Sequence, residues 1–348
     1  MSKANRKKRG MLPLLIVLLA IAIALVAMVF VQGKLLKIRR TSNVETPIAP
    51  EEQTFETDEE AGPDTLKPEE IKWEETKEAE SVEGVTNILL IGQDARTGEA
   101  RQRSDTMIIC SLNEKTKEIT LASLMRDMYV PIPGYDDNRI NAAYAFGGMP
   151  LLDQVIEEDF GVKIDGNIEV NLEGFLGSME AIGDLDLYLT ASEAEYMNSN
   201  PAVGSGDDTS SESWYLEEGI NTLTPSQALG FARMRNVGNS DYRRTERQRE
   251  VLYAAFHKLI GSDLSTLLKL SDEILPSLTT DLTSNEIVSL VTKAKDMKLA
   301  EESYRIPVDG TFSAESIRGM SVLVPDLNAN SDRLKEYLYG DMAATSGS

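Results

Sequence analysis

The 348-residue chain reads as a single αβα-layered α/β domain with a mixed central sheet, behind an N-terminal transmembrane helix and a disordered linker. Three observations predict this. Strand-like and helix-like segments alternate from residue 86 to about 340. A 21-residue apolar run precedes them. The stretch between is too acidic, and too poor in apolar periodicity, to build a core.

The apolar run is Met11–Val31, MLPLLIVLLAIAIALVAMVFV, without a charged side chain. At ~1.5 Å per residue it spans roughly 30 Å, the thickness of a bilayer's hydrocarbon. A cleavable leader has a shorter apolar core and a small-residue cleavage site, so an uncleaved anchor is the reading. Lys3, Arg6, Lys7, Lys8 and Arg9 precede it, and Lys34, Lys37, Arg39 and Arg40 follow. That slight excess leans toward a cytoplasmic tail over 1–10 and an extracytoplasmic C-terminal bulk in the cell membrane. Residues 32–85 are read as a basic juxtamembrane segment and then a linker. From Thr41 to Val85 fifteen acids face three lysines, a self-repelling tether spanning roughly 35 Å. Residues 86–340 form the domain and 341–348 a flexible tail.

Within the domain, TNILLIG (86–92) and DTMIICSL (105–112) are strand-like, and NEKTKE turns the chain into EITLASL (118–124), a hairpin by spacing. MPLLDQVIEEDFG reads as a helix ended by Gly161, with Leu151, Leu152, Val155 and Ile156 opposite its acids. GNIEVNL (166–172) is a strand with Ile168 and Val170 alternating. A helix over LEGFLGSMEAIG, a strand LDLYLT and a polar loop from about Asn198 to Ser213 follow. TPSQALGFARMR starts a helix with Thr224 at the N-cap and Pro225 at the first turn. DYRRTERQREVLYAAFHKLIG is a second, capped by Asp241. Amphipathic helices at about 264–275 and 284–298, strands YRIPV and SVLV, and a helix near 329–339 complete the domain.

Composition narrows the chemistry. The formal charge is -22, and no broad basic face exists for nucleic acid. Cys110 and His257 are the only residues of their kinds. Disulfides and thiolate metal sites are therefore excluded, and any triad or His-ligated zinc would rest on one histidine in a helical apolar pattern. What remains is carboxylates and arginines.

Three segments concentrate them. In IGQDARTGEARQRSDTM, Asp94 follows a strand and Asp105 begins the next, with Arg96, Arg101 and Arg103 between. These are either turn residues or a carboxylate pair suited to Mg²⁺. In SLMRDMYVPIPGYDDNRINAAYAFGG, Arg126 and Asp127 again follow a strand, where α/β proteins gather their sites. RMRNVGNSDYRRTERQRE holds six arginines in eighteen residues, either a salt-bridged face or a phosphate clamp. Helical spacing puts Arg244, Arg247 and Gln248 near one another.

NILLIGQDAR, RSDTMI, SLMRDMYVPIPG, RINAAYAFGG, LGFARMR and DYRRTERQR occur in this order. Together they resemble the motifs of the LytR–CpsA–Psr family of membrane-anchored wall-polymer ligases, over roughly residues 85–295. The resemblance implies a phosphotransferase that moves a phosphoglycan, such as teichoic acid or capsular polysaccharide, from a polyprenyl pyrophosphate carrier to peptidoglycan, forming a phosphodiester. By position, Asp94 and Asp105 match Mg²⁺ and pyrophosphate-site carboxylates. Arg126, Arg233 and Arg235 match the principal clamp. Asp127 is a candidate proton acceptor, the alternative being orientation by Arg126 with no dedicated base. Arg96, Arg103, Arg139, Arg244, Arg247 and Gln248 match further pyrophosphate contacts. Phe175, Phe231 and Leu252 are candidates for a polyprenyl pocket. The chain departs from the family pattern at Met125 and Met128, where Pro and Thr or Ser are usual, and at Arg139, where Lys is usual; AIGDLDLYL lacks a second glycine. The alternatives are a hydrolase, with water as acceptor, and a non-catalytic polyprenyl-lipid binder or wall-assembly scaffold.

Overall fold

The structure, a computed structural model, describes residues 38–41, 46–58, 61–73, 78–93, 101–171, 179–180, 182–201, 214–234, 237–238, 243, 246–247, 250–251, 254–255, 258, 275–294, 297–300 and 304–340. The apolar run 11–31 and His257 lie outside the described residues. Among the described residues no helix is long and apolar enough to cross a membrane.

In chain order the strands are β1 (Arg39–Arg40), β2 (Val85–Gln93), β3 (Ser104–Asn113), β4 (Glu118–Leu124), β5 (Tyr129–Val130), β6 (Asn138–Arg139), β7 (Gly166–Asn171), β8 (Leu185–Leu189), β9 (Gly219–Leu223), β10 (Leu278–Thr280), β11 (Lys298–Leu299), β12 (Tyr304–Ile306), β13 (Phe312–Ile317) and β14 (Met320–Pro325). The helices are α1 (Ile140–Phe160), α2 (Ala191–Ser199), α3 (Pro225–Arg233), α4 (Ser284–Ala294) and α5 (Leu327–Tyr339). The described residues fall into two compact units, one within 39–172, 279–283 and 302–340 and the other within 173–278 and 284–301. Alternating periodicity locates elements but does not say which of them share contacts.

The first unit is built on a mixed sheet ordered β1-β10-β7-β2-β3-β4, with β12 parallel beside β4. The expected hairpin is present: β3 pairs antiparallel with both β2 and β4. Its turn closes because the Asn113 side chain accepts the Lys115 and Thr116 amides at 3.0 and 3.1 Å. β7 runs parallel to β2. Consecutive residues Ile88–Ile91 and Met107–Cys110 are all buried, so both faces of the sheet are covered. Burial pushes the Cys110 thiol well up, consistent with a small core residue.

Helix α1 carries the predicted stop at Gly161, a left-handed C-cap whose amide bonds Glu157 O at 3.0 Å. It begins earlier than expected, with INAAYAFGG helical too, and the two parts meet at a kink where Gly148 has φ 68° and ψ -154°. Pro150 follows directly. At Gly147 an added Cβ would stand 2.4 Å from the Leu151 Cβ. Gly147→Ala is accordingly expected to cost about 1–3 kcal/mol, read as a lower denaturant midpoint. A midpoint equal to the parent's would show that the kink has room to spare.

Strand YRIPV was expected and is β12 beside β4, whereas β1 and β10 were not anticipated. β10 is tied to β7 through the fully buried Asn167. Its backbone amide donates to Asp281 at 2.7 Å, and its side-chain amide donates to Asp153 at 2.7 Å and Asp281 at 2.8 Å. The expected alternation of β7 is offset: Asn167 and Glu169 are the buried positions, and Ile168 and Val170 are half-buried. Polar partners on neighbouring elements, invisible to a period-2 reading, make that possible. Burial pushes the Asp153 carboxyl up to about 7; the Asn167 bond opposes this, and the Asp281 and Glu157 charges add to it. The unfolded carboxyl has a pKa of about 3.9, so between about pH 4 and 7 the folded chain keeps a proton that the unfolded chain has lost. Stability therefore falls as pH rises through that window. Asp153→Asn is expected to flatten this fall and raise the melting temperature at about pH 8. An unaltered pH profile of melting would contradict it.

The disordered linker expected before the domain is corrected most. Phe55, Leu66, Ile71 and Trp73 pack against the buried cluster Tyr129, Ile317, Met320 and Val322. The backbone is pinned as well: Ile48 N donates to Phe146 O at 2.8 Å, Asp58 N to Gly319 O at 2.9 Å and Thr65 N to Ser316 O at 2.8 Å. Trp73 Nε1 donates to Asp137 at 2.7 Å. The segment has no periodicity because each anchor meets a different part of the β13–β14 hairpin and its surroundings. Four apolar residues and matched carbonyls hold it in spite of its charge.

In the second unit, β8 pairs with β9 antiparallel. The expected start of α3 is confirmed: Thr224 accepts the Gln227 amide at 3.3 Å, and Gln227 returns a bond to the Thr224 amide at 2.9 Å.

An arginine and carboxylate site at the strand ends

Site residues of the first unit come from four places that the sheet brings together. Arg103 and Asp105 flank the start of β3; Arg126 and Asp127 follow β4; Arg139 ends β6; and Glu56 and Asp58 come from the N-terminal strap. The antiparallel β3–β4 pairing puts the start of one strand beside the end of the other, with Met107 opposite Leu124. That register is why residues 21 apart in sequence meet.

Arg126 Nη1 donates to Asp105 Oδ1 at 2.5 Å, and its Nε stands 3.4 Å from Asp127 Oδ1. Arg139 Nε approaches the same Asp127 oxygen at 3.2 Å. Asp127 is thus shared between two guanidiniums and almost fully buried. Burial alone would lower the Arg126 pKa, but Asp127, Asp105 and Glu56 outweigh it and raise it. Arg103 is shifted the other way: burial lowers it, Glu56 partly compensates, and Arg139 and Arg126 add repulsion. Arg139 is held on its far side by Asp58 and by the Ser321 carbonyl at 2.7 Å. Arg103 donates to Thr54 O at 2.7 Å and lies 5.9 Å from the centre of the Phe146 ring.

Five of the expected site residues, Arg103, Asp105, Arg126, Asp127 and Arg139, therefore share one cluster. Asp94, Arg96, Arg235, Arg244 and Gln248 lie outside the described residues, as do Phe175 and Leu252. Phe231 is fully buried in the second unit. Arg233 is the last residue of α3 and half-buried. Met125 and Met128 are buried, and the Met128 carbonyl accepts the Ile140 amide at 2.7 Å, so they act in packing the turn.

Arg247 takes a different place from the pyrophosphate contact expected of it. It has no exposed surface. Its Nε donates to Glu193 at 2.8 Å, Nη1 to Met234 O at 2.8 Å and Nη2 to Val237 O at 2.6 Å. It braces the chain that leaves α3. Arg243, not singled out in the sequence, also donates to Glu193 at 2.8 Å and reaches Glu250 at 2.6 Å. Burial would raise the Glu193 carboxyl, but the Arg243, Thr190 and Arg247 hydrogen bonds pull it down to about 2. Glu193 itself was missed, because a carboxylate at the N3 position of a helix is an ordinary capping residue in sequence.

At the end of β2, Gln93 bonds Glu169, and Glu169 accepts Tyr144 OH at 2.7 Å. Among the described residues no group of three or more His, Cys, Asp or Glu is placed to hold a metal. Asp105, one-third exposed beside guanidiniums, is a hard oxygen donor of the type that lets Mg²⁺ share its shell with phosphate oxygens.

Three guanidiniums and four carboxylates thus meet at the strand ends of a mixed α/β sheet, where α/β proteins gather their sites. The chain belongs to the LytR_cpsA_psr family, whose model matches residues 51–336. It is 32% identical over 236 residues to the polyisoprenyl-teichoic acid–peptidoglycan teichoic acid transferase TagU of Bacillus mycoides, covering 66% of this chain and 71% of that protein. It is 35% identical over 214 residues to TagU of Oceanobacillus iheyensis, covering 59% of this chain and 62% of that protein. Among solved structures, the fold is similar to that described as "TagT bound to LI-WTA", with a TM-score of 0.58 and 24% identity, over 75% of this chain and 92% of that one.

Proposed function

We propose that this chain is a phosphotransferase that moves a wall glycopolymer of the teichoic acid class from a polyprenyl pyrophosphate carrier to peptidoglycan. Family membership and the TagU relatives support the reaction class. The observation that carries it is Arg126 and Arg103 converging on the strand ends where Asp105 waits. The site needs no histidine or cysteine, because transfer of a phosphoryl group is mostly positioning and charge stabilisation.

In this reading Arg126 and Arg103 hold the non-bridging oxygens of the pyrophosphate. An acceptor hydroxyl of peptidoglycan attacks the phosphorus that bears the glycan. A P–O bond forms to the acceptor, the P–O bond to the bridging oxygen breaks, polyprenyl phosphate leaves, and the hydroxyl proton passes to solvent. Asp127, locked between Arg126 and Arg139, orients those guanidiniums and is poorly placed to receive that proton. Asp105, with Asp94, would hold Mg²⁺, which neutralises phosphate charge when bound.

The run 11–31 is proposed as a single membrane anchor, with the domain outside. Pairing of β1 with β10 leaves few residues between that anchor and the fold, so the domain would work close to the lipid surface. Labelled lipid-linked glycan, supplied with and without peptidoglycan, tests the reaction. Label appearing on peptidoglycan is expected; release that is indifferent to the acceptor would instead indicate hydrolysis.

A further inference from the structure

We propose that the N-terminal strap is a built-in competitor for the anion site, with Glu56 standing where a phosphate must enter. Thr54, Glu56 and Asp58 alternate along an extended segment, and all three meet the arginine cluster. The Thr54 carbonyl accepts Arg103 at 2.7 Å and the Asn138 side chain at 3.1 Å. Asp58 bonds Arg139 and accepts the Ser321 amide at 2.7 Å. Phe55, between them, packs with the buried cluster of Tyr129 and Met320, under the Arg318 guanidinium at 4.4 Å. The strap is thus fixed on both sides of Glu56.

Glu56 is held differently. Its carboxylate lies 3.8 Å from both Arg103 Nε and Arg139 Nη1, and its charge also reaches Arg126. These separations are ion pairs without close hydrogen bonds, and the side chain is 48% exposed. It is the loosest acid in the cluster. Charge makes the same point. Arg103, Arg126 and Arg139 face Asp58, Asp105, Asp127 and Glu56, so the guanidiniums are already neutralised. A pyrophosphate can be gripped only if a carboxylate withdraws. Asp58 and Asp127 are bonded into the frame, and Asp105 is bonded to Arg126; Glu56 can swing into water. Its departure frees Arg103 of one ion pair and lifts the negative charge that reaches Arg126. The strap then acts as a gate that discriminates against singly charged anions, which cannot repay the loss of the Glu56 contacts.

This inference rests on the cluster being a pyrophosphate site, and the test separates the two ideas. Calorimetric titration with geranyl pyrophosphate and Mg²⁺ is carried out on the full chain, Glu56→Gln, Asp58→Asn and Arg126→Ala. Glu56→Gln is expected to bind about tenfold more tightly than the parent, with unchanged melting temperature, because it removes the competing charge but keeps the side chain's size. Asp58→Asn is expected to melt lower and bind no better, as a residue positioning Arg139. Parent binding that Arg126→Ala abolishes, together with a Glu56→Gln affinity equal to or weaker than the parent's, would overturn the gate and leave the site standing. Failure of Arg126→Ala to weaken binding at all would overturn the site, and the gate with it.

Discussion

Arg126→Ala is expected to lower transfer of lipid-linked glycan to peptidoglycan by about 10²–10³-fold, the usual effect of removing one preorganised charge-stabilising group. The effect should fall on turnover and not on folding. Arg126 has two carboxylate partners, and each survives its loss. Asp105 is one-third exposed and can take up water, and Asp127 keeps Arg139 at 3.2 Å. The melting temperature should therefore stay close to the parent's while product formation collapses. Near-normal turnover by the folded variant would remove Arg126 from the reaction. Because the flanking Met125 and Met128 are buried, the turn that carries Arg126 is fixed by packing from both sides.

The second large effect is on stability. Glu193→Ala leaves Arg247, which is fully buried, without the charge that compensates it. Breaking such a pair from one side costs about 3–5 kcal/mol, far more than an exposed bridge. Urea unfolding should show that loss, and a change under about 1 kcal/mol would mean that water or Arg243 rearrangement rescues Arg247. The sign with pH follows from the depressed Glu193 pKa. Its contribution is present in full above the unfolded carboxylate value of about 4.3 and disappears as pH falls toward the folded value of about 2. The variant should thus lose most, relative to the parent, near neutrality, and converge on it in acid.

How much was visible beforehand depends on the range of the interaction. The β3–β4 hairpin, the Gly161 stop and the Thr224 cap are set by neighbours in sequence, and each was read correctly. Arg103, Asp105, Arg126, Asp127 and Arg139 could be picked out as strand-end charges, and the fold does gather them. What escaped were long-range partners. Glu56 and Asp58 sat in a run of acids that composition alone marks as a tether, yet their partners are more than 45 residues away. Arg247 carries the same charge pattern as a phosphate ligand, and only the burial of Glu193 reveals that its donors are already committed. Asn167, polar in a strand, looked like a solvent-facing position, and it is instead the joint between β7 and β10. A sequence displays the charge of a side chain but not the partner that consumes it.

The most direct test of the account is a crystal structure of the protein soaked with geranyl pyrophosphate and Mg²⁺. The account predicts phosphate oxygens within hydrogen-bonding distance of the Arg103 and Arg126 guanidiniums, with the metal at Asp105. A diphosphate bound elsewhere, with Arg126 still paired only to its two aspartates, would contradict it.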